Sequence, residues 1–260
     1  MNDQEELSSK GSFYSGTSGL VLPFPNKQSC PPEFHDKPRL AYYASLFNSL
    51  EVNSSFYKVP MAATVKKWAD GVPDGFKFTY KLWRDITHNK ELVFNPADVD
   101  RFMQVIAHAG DKKGCLLIQF PPSIKIGSVH QLQKLLVSVQ EANPAQEWKV
   151  AVEFRNSSWY HEDIYHLLDE HNAGMVLHDM PASFAPLMET EADFVYLRFH
   201  GPNGGYRGSY TDAFLAEYAQ YIYDWQQDGK EVYAYFNNTM GDAIKNLVTL
   251  NSYLSDMADN

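Results

Sequence analysis

The chain has 260 residues, of which 44% are hydrophobic and 14% aromatic, and its formal net charge at pH 7 is −10. These values suit one domain with a sizeable core, and the acidic balance disfavours nonspecific binding to nucleic-acid phosphates. Cys30 and Cys115 are far apart in the sequence, which argues against a disulfide framework or a cysteine-bound zinc ion and favours the cytoplasm. No stretch approaches the roughly 20 apolar residues of a membrane span, so no membrane partner is expected.

The first residues, Met1–Lys10, are polar and lack the apolar core of a signal peptide. We therefore predict a disordered tail over residues 1–12 and a single domain over residues 13–258.

Short apolar segments alternate with amphipathic ones along that domain. Predicted strands are Phe13–Thr17, Ser49–Asn53, Phe76–Lys81, Cys115–Phe120, Val150–Arg155, Met175–His178, Phe194–Gly201 and Val232–Phe236. Predicted helices are Arg39–Asn48, Thr64–Ala69, Ala97–Ala109, Val129–Ala142, Tyr160–Asn172, a single turn at Ser183–Met188, Asp212–Gln227 and Gly241–Tyr253. The sequence indicates Thr64 as a helix N-cap, Asn95-Pro96 as a helix start and Gly229 as a helix end. Between these elements, residues 18–37 and 83–95 are predicted to be loops.

About eight strand–helix units predict parallel pairing and closure into a single α/β (β/α)8 TIM barrel, with irregularity around strand 6. The alternative is an open doubly wound sheet. It is disfavoured because no GxGxxG or Walker-type loop follows the first strand, and Gly16–Leu20 is too short for either.

Side chains alternate between the two faces of a strand, so the polar residues near each strand's carboxyl end indicate what faces the barrel mouth. In the predicted strand Phe194–Gly201, Arg198 and His200 lie on the same face. Burying these two polar side chains costs free energy unless groups in the barrel interior pair with them. The same alternation predicts that the following residues face inward: Ser15, Thr17, Glu51, Asn53, Thr79, Lys81, Leu117, Gln119, Glu153, Arg155, either His178 or Asp179, Arg198, His200, Tyr235 and Asn237.

Three cations around one cavity suit a phosphate or carboxylate, so we predict an enzyme of the hydrolase or lyase type acting on a small anionic, phosphorylated substrate. Its predicted catalytic residues are Glu51, Glu153, Lys81 and His200, with a glutamate as base and His200 as acid or ligand. Its predicted ligand-binding residues are Asn53, Tyr57, Gln119, Arg155, Asp179, Arg198, Gly201, Asn237 and Asn238. The glycine-rich loop after strand 7 and Asn237-Asn238 after strand 8 fit the phosphate position common in this fold.

Several alternatives remain open from the residues. The charged groups also fit a purely structural ion-pair lattice or a non-catalytic metabolite-binding barrel. No cofactor is predicted, but Glu51, Glu153, Asp179, His178 and His200 form a conceivable divalent-metal site. Glycoside hydrolysis by two carboxylates and a Schiff-base role for Lys81 are further possibilities, and His88 is expected near the mouth. The oligomeric state is left open.

Several motifs, in order, resemble the DUF72 (YecE-like) family of TIM barrels. They are GTSG (Gly16–Gly19), FNSLEVNSSFY (Phe47–Tyr57), FKFTYKLWRDITHNKEL (Phe76–Leu92), LLIQFPPS (Leu116–Ser123), VEFRNSSW (Val152–Trp159), YLRFHG (Tyr196–Gly201) and YAYFNN (Tyr233–Asn238). The resemblance implies a TIM barrel with a shared pocket at its mouth, but it does not identify a reaction. The barrel also resembles endonuclease IV-type enzymes at the level of the fold. Metal-dependent nucleic-acid processing is therefore a further alternative. Leu20 stands where the family usually has Trp, and Asn156 where it commonly has His.

Overall fold

Eight parallel strands alternate with helices along the residues that the computed structural model describes, namely 10–24, 29–188 and 191–258. The strands are Phe13–Thr17 (β1), Ser49–Val52 (β2), Lys77–Lys81 (β3), Lys113–Gln119 (β4), Lys149–Glu153 (β5), Ala173–His178 (β6), Phe194–Phe199 (β7) and Glu231–Phe236 (β8). Their order, β1-β8-β7-β6-β5-β4-β3-β2, brings the first and last strands together. The predicted (β/α)8 barrel is confirmed.

Helices cover the outside of the barrel. The α-helices are Arg39–Leu46 (α1), Ser54–Tyr57 (α2), Ala62–Asp70 (α3), Arg84–Thr87 (α4), Pro96–Ile106 (α5), Val129–Ala142 (α6), Glu162–Glu170 (α7), Asp212–Gln227 (α8) and Ala243–Ala258 (α9). Short 3-10 helices lie at Pro32–Phe34, Lys90–Leu92, Ala107–Lys112, Ile126–Ser128, Ser157–Trp159 and Pro181–Ser183. None of the helices in the described ranges has the length and apolar composition needed to cross a membrane.

Local sequence signals account for two of the helix ends. The side chain of Asn95 caps α5 by accepting from the Ala97 amide at 3.1 Å, and Gly229 follows α8 with a φ of 82°, which favours glycine. The prediction of Thr64 as an N-cap is wrong, because α3 already begins at Ala62 after Met61. Alanine favours helix, so the segment extends back to the vicinity of Pro60.

The connection from β6 to β7 is the irregular part of the barrel. Its described residues contain only the 3-10 turn Pro181–Ser183 and no α-helix. The helical turn predicted over residues 183–188 is wrong; the turn lies earlier because a proline readily occupies the first position of a helical turn. Irregularity around strand 6 is therefore confirmed, although β6 itself pairs regularly with β5 and β7.

The two faces of the strands form two apolar clusters. The larger one packs between the sheet and the helices, and includes the outward residues Leu197 and Phe199 of β7. The smaller one fills the barrel interior and contains Tyr196, Tyr233 and Tyr235. This division confirms the predicted inward face for β7 and β8, because Tyr196 shares its face with Arg198 and His200.

The predicted face of β1 is wrong. Ser15 and Thr17 align with Ala234 and Phe236 of β8, which point outward, whereas Tyr14 aligns with Tyr233 and stacks on it inside the barrel. The polar side chains of β1 are satisfied by helices instead: Ser15 Oγ donates to Asn251 on α9 at 2.9 Å.

Side chains of α1 and its C-terminal loop close the barrel between β1 and β2. The Thr17 amide donates to the Tyr43 hydroxyl at 2.8 Å, and that hydroxyl donates to the Ser49 carbonyl at 3.0 Å. Below it, Asn48 accepts from the Ser15 amide at 2.9 Å and donates to the Phe13 carbonyl at 2.8 Å. These groups take the place of a strand ladder, so buried backbone donors and acceptors keep partners.

Most of the predicted N-terminal tail, residues 1–9, lies outside the described residues. Gly11 and Ser12 are described and hydrogen-bonded: the Gly11 amide donates to the Gln226 carbonyl, and the Ser12 carbonyl accepts from the Val232 amide, both at 2.8 Å.

Removing the Tyr43 hydroxyl should destabilise the barrel. Tyr43→Phe leaves the Thr17 amide and the Ser49 carbonyl without their partner, and the expected loss of unfolding free energy is about 1–3 kcal/mol. Urea unfolding followed by circular dichroism measures it.

Tyr80→Phe is the matched control. Tyr80 is also fully buried, but its hydroxyl has no hydrogen-bond partner among the described residues, so its removal should leave stability unchanged or raise it. Equal losses in the two variants would contradict the role of Tyr43 in the seam.

Candidate active site

Arg198 on β7 lies at the centre of the polar groups at the carboxyl ends of the strands and is 1% exposed. Its Nε and Nη2 donate to the two carboxylate oxygens of Glu51 at 2.9 and 2.7 Å. Its Nη1 donates to Glu153 and lies 3.4 Å from Nε2 of His200, and Nη2 also donates to Ser18 Oγ at 3.3 Å. A guanidinium has five N–H donors, so these contacts leave none for a ligand.

Glu51 on β2 is held from four directions. Beyond the two donors of Arg198, it accepts from the Ser18 hydroxyl and from the Tyr196 hydroxyl, the latter at 2.7 Å. Burial alone would raise the pKa of this carboxyl, but the charge and hydrogen bonds of Arg198, with those of Ser18 and Tyr196, hold the pKa below its ordinary value. Glu51 is therefore an ionised, enclosed carboxylate at neutral pH.

Glu153 on β5 is enclosed in the same way. One of its oxygens accepts from Nε of Arg155 and the other from Nη1 of Arg198, and its side chain has no exposed surface. Burial would raise the pKa of Glu153, but the two neighbouring guanidinium groups hold it well below the ordinary value.

His200 lies beyond Arg198 at the end of β7 and is a neutral imidazole. Its Nε2 is 2.8 Å from Nη2 of Arg155, and a guanidinium can only donate, so Nε2 accepts. The proton is therefore on Nδ1, which donates to Asp179 at 3.2 Å. Burial lowers the pKa of His200 to about 4, despite the opposing hydrogen bond to Asp179.

Asp179 fixes the loop after β6 to the loop after β7. One oxygen accepts from the His200 amide at 2.7 Å as well as from its ring, and the other accepts from the Tyr210 hydroxyl. That hydroxyl accepts from the Gly201 amide at 2.5 Å. Nε2 of the neighbouring His178 forms a hydrogen bond to the Phe154 carbonyl at 2.8 Å. Both residues of the predicted pair thus have partners in the protein.

Lys81 at the end of β3 differs from every other charged group at the mouth. It is 8% exposed, and its Nζ makes no hydrogen bond or ion pair with a described residue. Nζ lies 4.1 Å from the ring centroid of Phe56, which supplies a cation–π contact. Burial and the charge of Arg198 lower the pKa of Lys81 to about 8, although Glu153 and Glu51 oppose the shift.

His88, in the loop after β3, shares the Phe56 ring with Lys81. The imidazole and phenyl centroids are 4.8 Å apart, and Nδ1 of His88 is 2.8 Å from Thr87 Oγ1. Burial and the nearby Lys81 charge lower the pKa of His88 to about 4, so its ring is neutral at pH 7. The predicted position of His88 near the mouth agrees with this geometry.

Four polar side chains form the part of the mouth that solvent reaches. Lys81, Gln119, Arg155 and Asn237 are each 8–9% exposed, whereas Glu51, Glu153 and His200 are at 0%. Nε and Nη2 of Arg155 are engaged by Glu153 and His200, but Nη1 makes no hydrogen bond to any described residue. Lys81 and Arg155 therefore offer free cationic donors at the opening.

Two cavities lie outside the mouth. One of 800 Å³ is lined by His88, Lys90, Lys125 and His130. Another, of 720 Å³, lies at the opposite, amino-terminal end of the strands and includes Phe13 among its lining residues. The buried charges lie at the mouth, and their cost makes it the better candidate site.

The loops after β7 and β8 pack on each other rather than forming an open phosphate cradle. The Met240 amide donates to the Tyr206 carbonyl at 3.0 Å, and the Asp242 amide to the Gly208 carbonyl at 3.1 Å. Gly241 lies so close to Gly208 that a Cβ at Gly241 would come within 2.4 Å of the Gly208 carbonyl oxygen. These amides are not available to a phosphate group.

The other predicted ligand-binding residues are spread around the rim. Asn238 donates to Gly208 and to Asn246 at 3.0 Å and so joins the two loops. Gly201 is at a φ of 103°, which only glycine adopts readily. Asn53 precedes α2, and its buried Oδ1 has no hydrogen-bond partner within residues 10–24, 29–188 and 191–258; Tyr57 is 64% exposed.

Sequence reasoning missed four residues that contact the network. Ser18 follows β1 and was lost because the face of that strand was misassigned, although the GTSG motif contains it. Tyr196 lies on the inward face of β7, but its hydroxyl partner Glu51 is distant in sequence. Phe56 and Tyr210 lie in a short helix and in a loop, where strand alternation gives no signal.

The described ranges contain no group of three or more His, Cys, Asp or Glu side chains placed to hold a metal ion. Donors of Arg198 and Arg155 occupy the oxygens of Glu51 and Glu153, and His200 and Tyr210 occupy those of Asp179.

Loss of the central guanidinium should cost most of the stability of the barrel. Arg198→Met leaves Glu51 and Glu153 buried with part of their charge uncompensated, and the expected loss of unfolding free energy is about 3–5 kcal/mol. Arg155→Met is the matched control, because Glu153 keeps Arg198 and the loss should stay below about 2 kcal/mol. Urea unfolding at pH 7 compares them, and similar losses would contradict the central position of Arg198.

The buried charge of Lys81 should lower the free energy of unfolding at neutral pH. Its folded-state pKa of about 8 lies below the ordinary 10.5, so the unfolded chain binds more protons between these values and stability rises with pH across that window. Lys81→Met should therefore raise the unfolding free energy by about 1–3 kcal/mol at pH 7, and the gain should shrink from pH 8 to pH 10.5. Thermal unfolding across this range, with the exposed Lys134→Met as control, measures it. A gain that does not change with pH would argue against a perturbed Lys81.

Comparison with known proteins places this geometry in a family. The family model DUF72, described as a protein of unknown function, matches residues 14–260. UPF0759 protein YunF of Bacillus subtilis (strain 168) is 28% identical in a match that covers 83% of this chain and 86% of that protein. A DUF72 family protein from Thermotoga maritima MSB8 has a TM-score of 0.72 at 25% identity, covering 96% of this chain and 100% of its own.

A DUF72 family protein from Enterococcus faecalis V583 has a TM-score of 0.75 at 22% identity, covering 94% of this chain and 98% of its own. An AP endonuclease, family 2, from Brucella melitensis has a TM-score of 0.55 at 12% identity, covering 94% of this chain and 99% of its own; this likeness concerns the fold alone. The chain, with its barrel and its matching motifs, belongs to the DUF72 family.

Proposed function

We propose that the protein is an enzyme that binds a small anionic substrate at the barrel mouth through Lys81 and Arg155. One observation carries the proposal: Nζ of Lys81 and Nη1 of Arg155 have no partner among the described residues, whereas the carboxylates of Glu51 and Glu153 are fully engaged by guanidinium groups. Both donors belong to side chains in the part of the mouth that solvent reaches, and a carboxylate or phosphate oxygen is the acceptor that suits them.

The proposal assigns different roles to the predicted catalytic residues. Lys81 contacts the substrate. Glu51, Glu153 and His200 are positioning residues, because their polar atoms are occupied by Arg198, Arg155 and Asp179. The anion-binding group thus consists of Lys81 and Arg155, with Gln119 and Asn237 beside them, and Arg198 supports it from below.

A hydrolase or lyase reaction needs a group that accepts a proton near the substrate. Lys81 with a pKa of about 8 and His88 with a pKa of about 4 are the candidates, since both have a neutral form available near pH 7–8. The enclosed glutamates are poor bases, because their depressed pKa values make them weakly basic and they have no exposed surface.

A second candidate is a metabolite-binding barrel without catalysis. The observation in its favour is the saturated ion network, which holds the mouth rigid and keeps both carboxylates from the ligand. Turnover separates the two candidates. Metal-dependent nucleic-acid processing has only the fold likeness in its favour, and the net charge of −10 opposes it.

Anion binding should be visible as thermal stabilisation. Malonate and inorganic phosphate at millimolar concentration should raise Tm in the wild type, and Lys81→Met and Arg155→Met should each lose most of that shift, because each removes a free donor. Lys134→Met, an exposed lysine on α6, should keep it. A screen of phosphate esters and carboxylate metabolites then tests turnover, which should also require Lys81.

The proposal is contradicted if neither anion shifts Tm, or if the shift persists in both mouth variants. Binding that depends on Lys81 and Arg155 without turnover across the screen would favour the metabolite-binding barrel.

A further inference from the structure

We propose that Lys81 forms an imine with its substrate, and that the substrate is a small aldehyde or ketone carrying a carboxylate or phosphate. The inference rests on the proposed function, since it names the chemical class of the anion bound at the same mouth. Its geometric basis is a buried lysine that has no ion-pair partner among the described residues and lies against an aromatic ring, at a mouth that also holds a second free cationic donor.

An amine must lose its proton to attack a carbonyl carbon, so a nucleophilic lysine needs surroundings that do not hold the ammonium form. A buried lysine normally pairs with a carboxylate, and two lie in this mouth. Here Arg198 and Arg155 engage both of them, and Nζ of Lys81 contacts the face of Phe56 instead. The arginines thus leave the lysine without the anion that would keep it protonated.

The charged groups that act on Lys81 come from other strands and the ends of strands around the mouth. Burial disfavours its charged form, as do Arg198 on β7 and Arg155 just after β5, whereas Glu153 on β5 and Glu51 on β2 favour that form. Together they lower the pKa of Lys81 to about 8, so a substantial fraction of the side chain is a free amine just above neutral pH.

The reaction balances without any other reagent. The Nζ lone pair forms a bond to the carbonyl carbon, the carbonyl π electrons move to oxygen, and that oxygen takes up a proton. The carbinolamine then loses its hydroxyl group, with a further proton, as water, and a C=N bond forms; hydrolysis reverses these steps. The iminium form carries a positive charge, which the face of Phe56 stabilises as it does the ammonium.

His88 is placed to move the protons. Its ring contacts the same Phe56 ring, and its Nε2 makes no hydrogen bond to any described residue. A neutral imidazole beside the amine can accept the proton released on attack and return it to the departing hydroxyl group. His88 also lines the 800 Å³ cavity that lies outside the mouth.

Arg155 is the group that would bind the carboxylate or phosphate of the substrate. β4 lies between β3 and β5, so Lys81 and Arg155 are separated across the mouth by the β4 residue Gln119. In this proposal one molecule carries both the carboxylate or phosphate that binds Nη1 of Arg155 and the carbonyl carbon that Nζ of Lys81 attacks. Pyruvate carries the carboxylate and dihydroxyacetone phosphate carries the phosphate, and comparing them distinguishes the two anionic groups.

Reductive trapping of the full chain tests the inference. Incubation with pyruvate or dihydroxyacetone phosphate and sodium cyanoborohydride should add one molecule of probe less one oxygen atom, measured by intact mass, and peptide mapping should locate it at Lys81. Malonate, which has no ketone or aldehyde, should compete. The trapping rate should rise with pH through about 8, the pKa of Lys81, and not through the 10.5 of an ordinary lysine.

Variants make the result specific. Lys81→Met and Lys81→Arg should abolish trapping, and Lys134→Met should trap at the wild-type rate. His88→Gln should slow trapping by about 100-fold while the Tm shift by malonate persists. Labelling spread over exposed lysines, or unchanged in Lys81→Met, overturns the imine.

The outcomes separate this inference from the proposed function. If malonate raises Tm in a Lys81- and Arg155-dependent way but neither carbonyl compound is trapped, the imine is overturned and anion binding stands. If there is neither a shift nor trapping, both are overturned.

Discussion

The guanidinium of Arg198 is the interaction on which the mouth of this barrel depends. It joins Glu51 of β2 and Glu153 of β5 to β7, and it contacts Ser18 just beyond β1. Two carboxylates without exposed surface are tolerable only with donors at such positions, because unpaired buried charges cost several kcal/mol each. Because the guanidinium donors occupy the carboxylate oxygens, the two glutamates serve to position Arg198 and Arg155. The groups that can contact a substrate are therefore the polar side chains at the mouth that keep a free donor.

Lys81 has no carboxylate partner among the described residues, and its surroundings explain why. A lysine at a barrel mouth would ordinarily take the nearest carboxylate, but arginine is the stronger competitor because its planar fork binds both carboxylate oxygens at once. The pairing of Glu51 with Arg198 therefore determines the state of a residue on a different strand. The barrel tolerates the cost of burying Lys81, which is typical of a site where function outweighs local stability.

The sequence predicted the fold and the inward face of most strands because parallel strands make side-chain alternation informative. Glu51, Lys81, Glu153 and Arg198 all lie on the predicted face. The face of β1 was misassigned because FYSGT has large and small residues on both faces, and its polar groups are satisfied by helices that the alternation does not consider. The pairings themselves depend on distances across the barrel, which strand alternation does not give. Polar residue types alone therefore did not reveal that Lys81 has no hydrogen-bond or ion-pair partner in the described part of the chain while the glutamates have several.

The distribution of the charged residues along the chain bears on how such a barrel arises. The first four strands contribute Glu51 and Lys81, and the last four contribute Glu153, Arg155, Arg198 and His200. A fragment ending after β4 would keep Glu51 but lose the guanidinium of Arg198 that binds both of its oxygens, and the complementary fragment would keep Arg198 without that carboxylate. Duplication or exchange of half-barrels, a route open to barrels with apolar interiors, would therefore divide this buried pair. Assembly of the complete barrel is the smallest step that forms it.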